Sequence, residues 1–243
     1  MLKNLIKDLK KASDKQQAEI LKKFFKTGKG QYGEGDTFLG VRVPVQRKIC
    51  KKYNNLTLND IQNLLNSRIH EHRLCGLIVL IEKFKKSKEK EKKKLVKFYL
   101  KNTKKINNWD LVDLSAPIIL GDYLLNKKKE KKILYKLAKS KNLWEKRISI
   151  ISTYTFIKNN HLKDPIKISE ILIKDENSKH DLIHKAVGWM LREIGKKNRK
   201  ILEDFIQKNY KNIPRVTLRY SIEKFPENKR KKYLKGEWQK KTQ

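Results

Sequence analysis

Four short segments of this chain share one pattern: RLCG (Arg73–Gly76), DLSA (Asp113–Ala116), RISI (Arg147–Ile150) and KAVG (Lys185–Gly188). Each begins with a charged residue, continues with apolar or small residues, and lies in a stretch of helical periodicity. Their first residues are 40, 34 and 38 positions apart. Periods of this length in helical sequence are typical of stacked helix pairs.

The rest of the chain has the same helical character, and no convincing series of strands interrupts it. Asp14 and Thr57 are suitable N-caps for helices, and Pro117 predicts a kink inside a helical stretch. We therefore predict an all-α fold: a single right-handed α-solenoid of HEAT-like or armadillo-like helix pairs, forming one domain over residues 1–243.

Two local patterns give finer expectations. The spacing of apolar residues predicts that Ile20, Phe24 and Phe25 point inward from the second helix. Asp164 and Pro165 are typical of an N-cap followed by the first residue of a helix.

The charge predicts a polyanionic partner. The chain has 61 basic and 26 acidic residues, for a net charge of +35. Lys greatly outnumbers Arg, as an AT-rich genome would produce, so part of this excess reflects a bias in composition. An arginine that persists against that bias indicates a need for the planar guanidinium. Arg73 and Arg147 both occupy the first position of the repeat. Nucleic acid is the partner that the remaining charge favours.

Several features place the protein in the cytoplasm. Cys50 and Cys75 form no CxxC motif and predict no disulfide framework. The Lys-rich amphipathic segment at residues 1–12 lacks the apolar region of a signal peptide, and no apolar run is long enough to span a membrane. We expect a monomer in the bacterial cytoplasm, at the nucleoid, with no membrane partner.

The loop from Thr27 to Gly40 is rich in glycine and contains G-x-G-x-x-G at residues 28–33. A helical stretch precedes it and more loop follows, which excludes a Rossmann site. Two interpretations stay open: its backbone N–H groups, with Lys26 and Lys29, contact a phosphate, or it is a flexible connection between helices.

Asp113 is the one acid at a repeat position where the other segments carry Arg, Arg and Lys. A lone carboxylate in a cationic groove holds DNA phosphates poorly, which indicates another role. Trp109 lies four residues before it and Trp189 lies four residues after Lys185, so each shares a helical face with its repeat position. Two indoles and one carboxylate can thus meet in one groove, although core tryptophans and an Asp113–Arg147 ion pair are the simpler alternatives.

The sequence predicts no metal and no cofactor. His180 and His184 are four residues apart on one helical face, but neither a third ligand of suitable spacing nor an HExxH motif accompanies them.

Four stretches resemble the AlkD-like DNA alkylation repair family, the HEAT-like-repeat DNA glycosylases. They are FLGVRVPVQRK (Phe38–Lys48), NNWDLVDLSAPIILGDYL (Asn107–Leu124), LWEKRISIIS (Leu143–Ser152) and HKAVGWMLREIGK (His184–Lys196). The WDxVD and KAxGWxLRE strings are the specific ones, and the resemblance covers almost the whole chain.

This resemblance implies roles for individual residues. Asp113 matches the family's catalytic carboxylate, Trp109 and Trp189 match its two sugar-facing tryptophans, and Arg147 matches the groove arginine beside the phosphate near the lesion. The implied reaction is hydrolysis of the N-glycosidic bond of positively charged alkylated purines, 3-methyladenine and 7-methylguanine, without metal or base flipping.

We therefore predict a monofunctional glycosylase acting on alkylated double-stranded DNA. The predicted catalytic residues are Asp113, Trp109 and Trp189, and the predicted DNA-binding residues are Arg147, Arg73, Lys185 and Arg42. A non-catalytic HEAT-repeat binder of damaged or branched DNA is the alternative, and a protein-binding scaffold is a third interpretation.

Overall fold

The computed structural model describes residues 1–175 and 180–237, and their regular structure is helical. The α-helices in chain order are α1 Leu2–Lys11, α2 Lys15–Phe24, α3 Val43–Lys52, α4 Leu58–Leu65, α5 His70–Lys86, α6 Glu89–Lys101, α7 Trp109–Ala116, α8 Asp122–Leu124, α9 Lys132–Ala138, α10 Leu143–Lys158, α11 Lys163–Lys174, α12 Asp181–Lys197, α13 Arg199–Asn209, α14 Arg215–Ser221 and α15 Glu227–Lys235. Over this part of the chain, β-pairing is limited to an isolated bridge between Thr37 and Ile69. The predicted all-α class of helical repeats is confirmed.

The chain divides into two compact units, Met1–Ser115 and Ala116–Gln243. In the first, α5 packs against α3, α4 and α6, and in the second, α10 packs against α9, α11 and α12. Helix α12 also packs against α13 and α14. Each unit therefore buries one long helix among its neighbours, which is the arrangement expected of stacked helix pairs.

Helix α5 forms the centre of the first unit. Its apolar residues from Leu74 to Phe84 are buried against α3 and α4. Gly76 allows α4 to come close, because a Cβ atom at this position would lie 3.2 Å from the Cβ of Leu64. The charged residues at the beginning of α5, His70 to Arg73, are buried as well. Buried charges need partners, and these partners form the candidate site.

In the second unit, Pro117 changes the hydrogen bonding of the chain. The backbone is π-helical from Pro117 to Gly121, directly after α7. The hydroxyl of Thr155 donates a hydrogen bond to the carbonyl oxygen of Pro117 at 2.8 Å. Helix α10 comes close because Gly121 has no side chain: a Cβ atom there would lie 2.5 Å from the carbonyl oxygen of Ser152. The irregularity expected at Pro117 is therefore present as a π-helical segment.

Some local expectations are confirmed and others are wrong. Asp14 caps α2 by accepting from the backbone N–H of Gln17, and Thr57 forms a capping box with Asp60. However, α11 begins before Asp164, whose carboxylate instead accepts hydrogen bonds from Lys131 and Tyr135.

The predicted inward face of α2 is only partly correct. Phe25 is buried, but Ile20 and Phe24 are exposed, Phe24 to 60%. Ile20 and Phe24 are four residues apart and share one exposed face of α2, whereas Phe25 follows the end of the helix and packs with Ala18 and Phe38.

Candidate active site

Helix α7 carries both Trp109 and Asp113, four residues apart on one helical face as the sequence predicts. Both side chains are partly buried. Asn108 precedes the helix, and its side-chain oxygen accepts from the backbone N–H of Trp109 at 2.8 Å. Leu111 and Val112, on the opposite side, are fully buried. Burial of this apolar side fixes which face of α7 presents Trp109 and Asp113.

Trp109 lies against aromatic residues from the end of α2. Its ring stacks on Phe25 with the centroids 5.3 Å apart, and it meets the edge of Phe24 at 5.8 Å. Phe25 also stacks on Phe38, at 5.2 Å. Trp109 therefore packs against the small apolar cluster of Ala18, Phe25 and Phe38, while Phe24 leaves most of its ring in solvent.

A network of charged residues, centred on His70, contacts this aromatic cluster. The Nε2 atom of His70 lies 2.8 Å from a carboxylate oxygen of Asp110, and its Nδ1 atom lies 3.3 Å from a carboxylate oxygen of Asp36. The imidazole ring packs against both Phe25 and Phe38, with centroid distances of 4.9 and 4.8 Å. The network therefore connects the Gly-rich loop, the first turn of α5 and the first turn of α7.

The environment of His70 favours its charged form. Burial alone would lower its pKa, but the hydrogen bonds to Asp110 and Asp36 outweigh burial and raise the pKa of His70 to about 9. For Asp36, burial would raise the pKa, but the hydrogen bond with His70 and the charge of Arg73 hold the pKa of Asp36 below its ordinary value. At neutral pH this is an imidazolium between carboxylates.

Arg73 belongs to the same network. It is 3% exposed, and its guanidinium donates to Asp36 at 2.6 Å and to the carbonyl oxygen of Ser67 at 3.0 Å. A buried arginine held by a carboxylate is not available to a DNA phosphate without breaking that pair. In this structure Arg73 therefore stabilises the interior of the first unit, and its role in DNA binding stays a prediction.

The Gly-rich loop is held in place by backbone contacts. Glu71 is buried, and its carboxylate accepts from the backbone N–H groups of Leu39, Gly40 and Val41 at 2.8–3.2 Å. Gly40 has a φ of +83°, and a Cβ atom there would lie 2.0 Å from the carbonyl oxygen of Asp14. The loop thus needs glycine at this position to reach α2.

At the tip of the loop, side chains of the loop itself accept hydrogen bonds from its backbone N–H groups. The backbone N–H of Gly28 donates to Gln31 at 3.0 Å, and that of Gly30 donates to Glu34 at 2.8 Å. These two N–H groups are therefore engaged within the loop. Of the two interpretations of the sequence, the connection between helices is the one that this geometry favours.

Asp113 lies near a buried tyrosine. The hydroxyl of Ser115 donates to the carbonyl oxygen of Leu111 at 2.6 Å, so the Tyr99 hydroxyl, 3.0 Å from the Ser115 oxygen, is the donor of that pair. Burial raises the pKa of Tyr99, and the negative charge of Asp113 raises it as well. Tyr99 therefore stays protonated and holds the last turn of α7.

The other predicted residues lie in the second unit. Arg147, on α10, is 5% exposed, and its guanidinium donates to the carbonyl oxygen of Leu182 at 2.5 Å. Lys185 on α12 forms an ion pair with Asp181 one turn earlier, at 2.5 Å. Trp189 is partly buried and packs against Tyr154, with the ring centroids 5.7 Å apart. The expected common groove of these residues with α7 stays a prediction.

Arg42 is exposed at the N-cap of α3, so its guanidinium is accessible to solvent. Within residues 1–175 and 180–237, no group of three or more His, Cys, Asp or Glu side chains is placed to hold a metal ion. His180 instead caps α12, since its Nδ1 accepts from the backbone N–H of Leu182. No helix in the described part of the chain is long and apolar enough to cross a membrane.

Sequence reasoning missed Asp36, His70 and Asp110 as a set. The three residues are 34 and 40 positions apart, so no short motif contains them. The available signals were weak: a histidine at the start of an apolar helix, and an aspartate directly after Trp109 in WDLVD.

Comparison with known proteins agrees with this all-α architecture. A solved structure from Enterococcus faecalis, described as a predicted DNA alkylation repair enzyme, superimposes with a TM-score of 0.68 at 15% sequence identity. The match covers 88% of this chain and 97% of that chain. No curated protein matches the sequence. A family described as DNA alkylation repair enzyme matches residues 5–225, nearly the whole of the 243 residues, and the chain therefore belongs to the DNA alkylation repair enzyme family.

Proposed function

We propose that this protein is a DNA glycosylase that releases positively charged alkylated purines, such as 3-methyladenine and 7-methylguanine, from duplex DNA. The observation that carries the proposal is on α7, where a partly exposed carboxylate, Asp113, lies one turn from a partly exposed indole, Trp109. The neighbouring carboxylate of Asp110 is engaged by His70. Asp113, which shares the helical face of Trp109, is the proposed catalytic carboxylate.

The chemistry of cationic bases suits such a site. An N-alkylated purine already carries a positive charge and leaves without an acid catalyst, so the enzyme has to stabilise the oxocarbenium-like sugar and position a water molecule. A carboxylate stabilises the sugar cation by its charge and can accept the proton of the water. The face of an indole also attracts a developing cation. Such a reaction needs no deep pocket of the kind used by base-flipping enzymes.

DNA is the partner that the net charge of +35 favours. In this proposal Trp189 contributes a second indole, and Arg147, Lys185 and Arg42 contribute positive charge toward the phosphates. Arg42 is the most accessible of the three cations, since Arg147 is buried and Lys185 is paired with Asp181. Duplex DNA is the proposed form of the substrate, with a monomer as the binding species.

The proposal is tested by Asp113→Asn, which keeps the size and shape of the side chain and removes its charge. Single-turnover release of 7-methylguanine from methylated duplex DNA is expected to fall by roughly a hundredfold or more, the scale for loss of one charge-stabilising group. DNA affinity is expected to be unchanged or slightly higher, because a negative charge leaves a surface that faces phosphates.

The matched control is Asp122→Asn, a change of the same kind at an exposed aspartate on α8, which is expected to leave the rate unchanged. Thermal melting of both variants checks the fold. If the wild-type protein binds methylated DNA but releases no base, the non-catalytic binder is the correct function. If Asp113→Asn is as active as wild type, Asp113 is not the catalytic carboxylate.

A further inference from the structure

We infer that His70 is a positioning residue for the proposed base-release reaction: as an imidazolium it holds the first turn of α7, and thereby Trp109 and Asp113, against the Gly-rich loop. This inference rests on the proposed function, but its geometry is independent of it. His70 is 2% exposed, so its effect on a bound substrate passes through its contact with Asp110. Asp110 lies between Trp109 and Asp113 in the sequence of the same helix.

The two carboxylates require the doubly protonated ring. A neutral imidazole carries one N–H, so it would donate to one carboxylate while its second nitrogen turned a lone pair toward the other. Both ring nitrogens of His70 face carboxylate oxygens, at 2.8 Å for Asp110 and 3.3 Å for Asp36. Only the imidazolium donates in both directions. The Phe25 and Phe38 rings, both packed against His70, favour the same charged form through their π electrons.

The charges around His70 are balanced only when it is protonated. The charged groups that face it are Asp36 from the loop, Asp110 from α7 and Arg73 from α5 itself. With His70 protonated, these two carboxylates meet two cations. With His70 neutral, the buried cluster has one negative charge too many, which is costly in an interior of low dielectric.

Asp110 depends strongly on this contact. Its Oδ1 atom is buried and has no hydrogen-bond partner among the described residues, while Oδ2 is bonded to His70. Loss of the imidazolium would leave both oxygens of Asp110 without a donor in the described structure. A carboxylate in that state moves toward water, and because Asp110 lies in the first turn of α7, we expect its movement to disturb that turn.

The other side of His70 is firmly anchored. Its backbone N–H donates to the carbonyl oxygen of Thr37 at 2.9 Å, and the backbone N–H of Thr37 donates to the carbonyl oxygen of Arg68 at 3.1 Å. The loop and the start of α5 are therefore joined by the backbone, independently of the imidazole. The His70 side chain then transmits this fixed position to α7, so deprotonation releases α7 and not the loop.

The first test uses His70→Phe, which keeps an aromatic ring packed against Phe25 and Phe38 but removes both N–H donors. The single-turnover rate of base release is expected to fall about tenfold or more, because a small displacement of Asp113 disturbs the alignment with the sugar. The Kd for methylated DNA is expected to change less than about threefold, since no phosphate contact is lost. A control is His72→Phe on the same helix, where the native ring contacts Ser67 at 2.9 Å; it is expected to leave the rate unchanged.

A pH profile separates positioning from simple stabilisation. The wild-type rate, corrected for spontaneous depurination, is expected to fall on the alkaline side with a midpoint near the His70 pKa of about 9. Asp110→Asn removes one of the two charges that hold the proton on His70, so the midpoint is expected to move down by roughly one pH unit or more. This variant also serves if His70→Phe does not fold. An alkaline midpoint that is the same in wild type and Asp110→Asn overturns the inference.

A readout without catalysis distinguishes failure of this inference from failure of the proposed function. In protein labelled with 5-fluorotryptophan, the ¹⁹F signal of Trp109, assigned with Trp109→Phe, is expected to shift with pH in wild type and to stay constant in His70→Phe. If wild type releases no base, the proposed function fails, and the ¹⁹F titration then tests the inference by itself. A Trp109 signal that does not shift with pH in wild type overturns the inference. A shift that is present in wild type and absent in His70→Phe supports it. If wild type is active, an unchanged rate in His70→Phe overturns it.

Discussion

At the scale of single residues, His70 connects the stability of the protein to pH. Its pKa in the folded protein is about 9, above the ordinary value of 6.5. The folded state therefore binds this proton more tightly than the unfolded state does. The resulting stability is fully present below about pH 6.5 and is lost as the pH rises through 9.

We predict that the free energy of unfolding falls by on the order of 3 kcal/mol between pH 6 and pH 9.5, since each unit of pKa shift corresponds to about 1.4 kcal/mol. Urea unfolding at a series of pH values measures this decrease. His70→Phe is expected to be less stable at pH 6 and to show little further loss up to pH 9.5. A wild-type stability that is flat over this range would show that His70 is not a buried imidazolium.

Asp36 gives the opposite dependence on the acidic side. The pKa of Asp36 is below its ordinary value because of His70 and Arg73, despite burial. Its contribution to stability is present above the ordinary pKa of an aspartate and is lost as the pH falls toward the lowered value. Together, the two residues place the stability maximum of this network between the acidic loss and the alkaline loss.

At the scale of elements, the Gly-rich loop is a structural part of the first unit. Its end at Leu39–Val41 is held by the buried Glu71 carboxylate, and Asp36 within it belongs to the His70 network. The loop also brings Phe38 against Phe25. It therefore supports the aromatic cluster under Trp109, whatever contacts its tip makes with other molecules.

Gly40→Ala tests this role. Gly40 combines a φ of +83° with a Cβ position only 2.0 Å from the carbonyl oxygen of Asp14, so we predict a loss of at least about 2 kcal/mol of unfolding free energy. The matched control is Gly30→Ala, where φ is +75° and no atom lies within 4 Å of the new Cβ. The control is expected to cost about 1 kcal/mol, from the backbone alone. Equal losses in the two variants, measured by urea unfolding, would mean that the close approach to α2 is unimportant.

At the scale of the whole molecule, the net charge of +35 determines how binding to DNA responds to salt. Lysines and arginines that contact phosphates release counterions from the duplex, so log affinity falls linearly with log salt concentration. The effect does not depend on DNA sequence. The salt dependence of the affinity therefore distinguishes an interface formed mainly by phosphate contacts from one that recognises only the damaged base.

We predict that affinity for an undamaged duplex falls by about a thousandfold between 50 and 200 mM salt, the change expected for on the order of six phosphate contacts. Fluorescence anisotropy with a labelled duplex measures this slope. A duplex with one alkylated purine is expected to give the same slope with tighter binding. Affinity that stays constant across the salt titration would contradict a phosphate-led interface.

The features that depend on neighbours along the chain can be predicted from the amino-acid sequence alone. Helical periodicity and the spacing of the four charged segments predicted the all-α class. The caps at Asp14 and Thr57 follow from hydrogen bonds that reach only three residues. The common face of Trp109 and Asp113 follows from the geometry of one helical turn. These features need no knowledge of distant residues, because backbone hydrogen bonding sets them locally.

Which charges are buried and paired depends on how the helices pack, and the sequence does not predict it. Arg73 occupies a repeat position that predicts DNA contact, yet its guanidinium binds Asp36, 37 residues earlier in the chain. His70 meets Asp110 across 40 residues, and Phe25 is buried while Phe24 is exposed. Helical periodicity reports which face of a helix is apolar, but not which distant side chain will meet a given charge. That choice is made when the helices pack, because burying an ion without its partner costs more free energy than local sequence preferences supply.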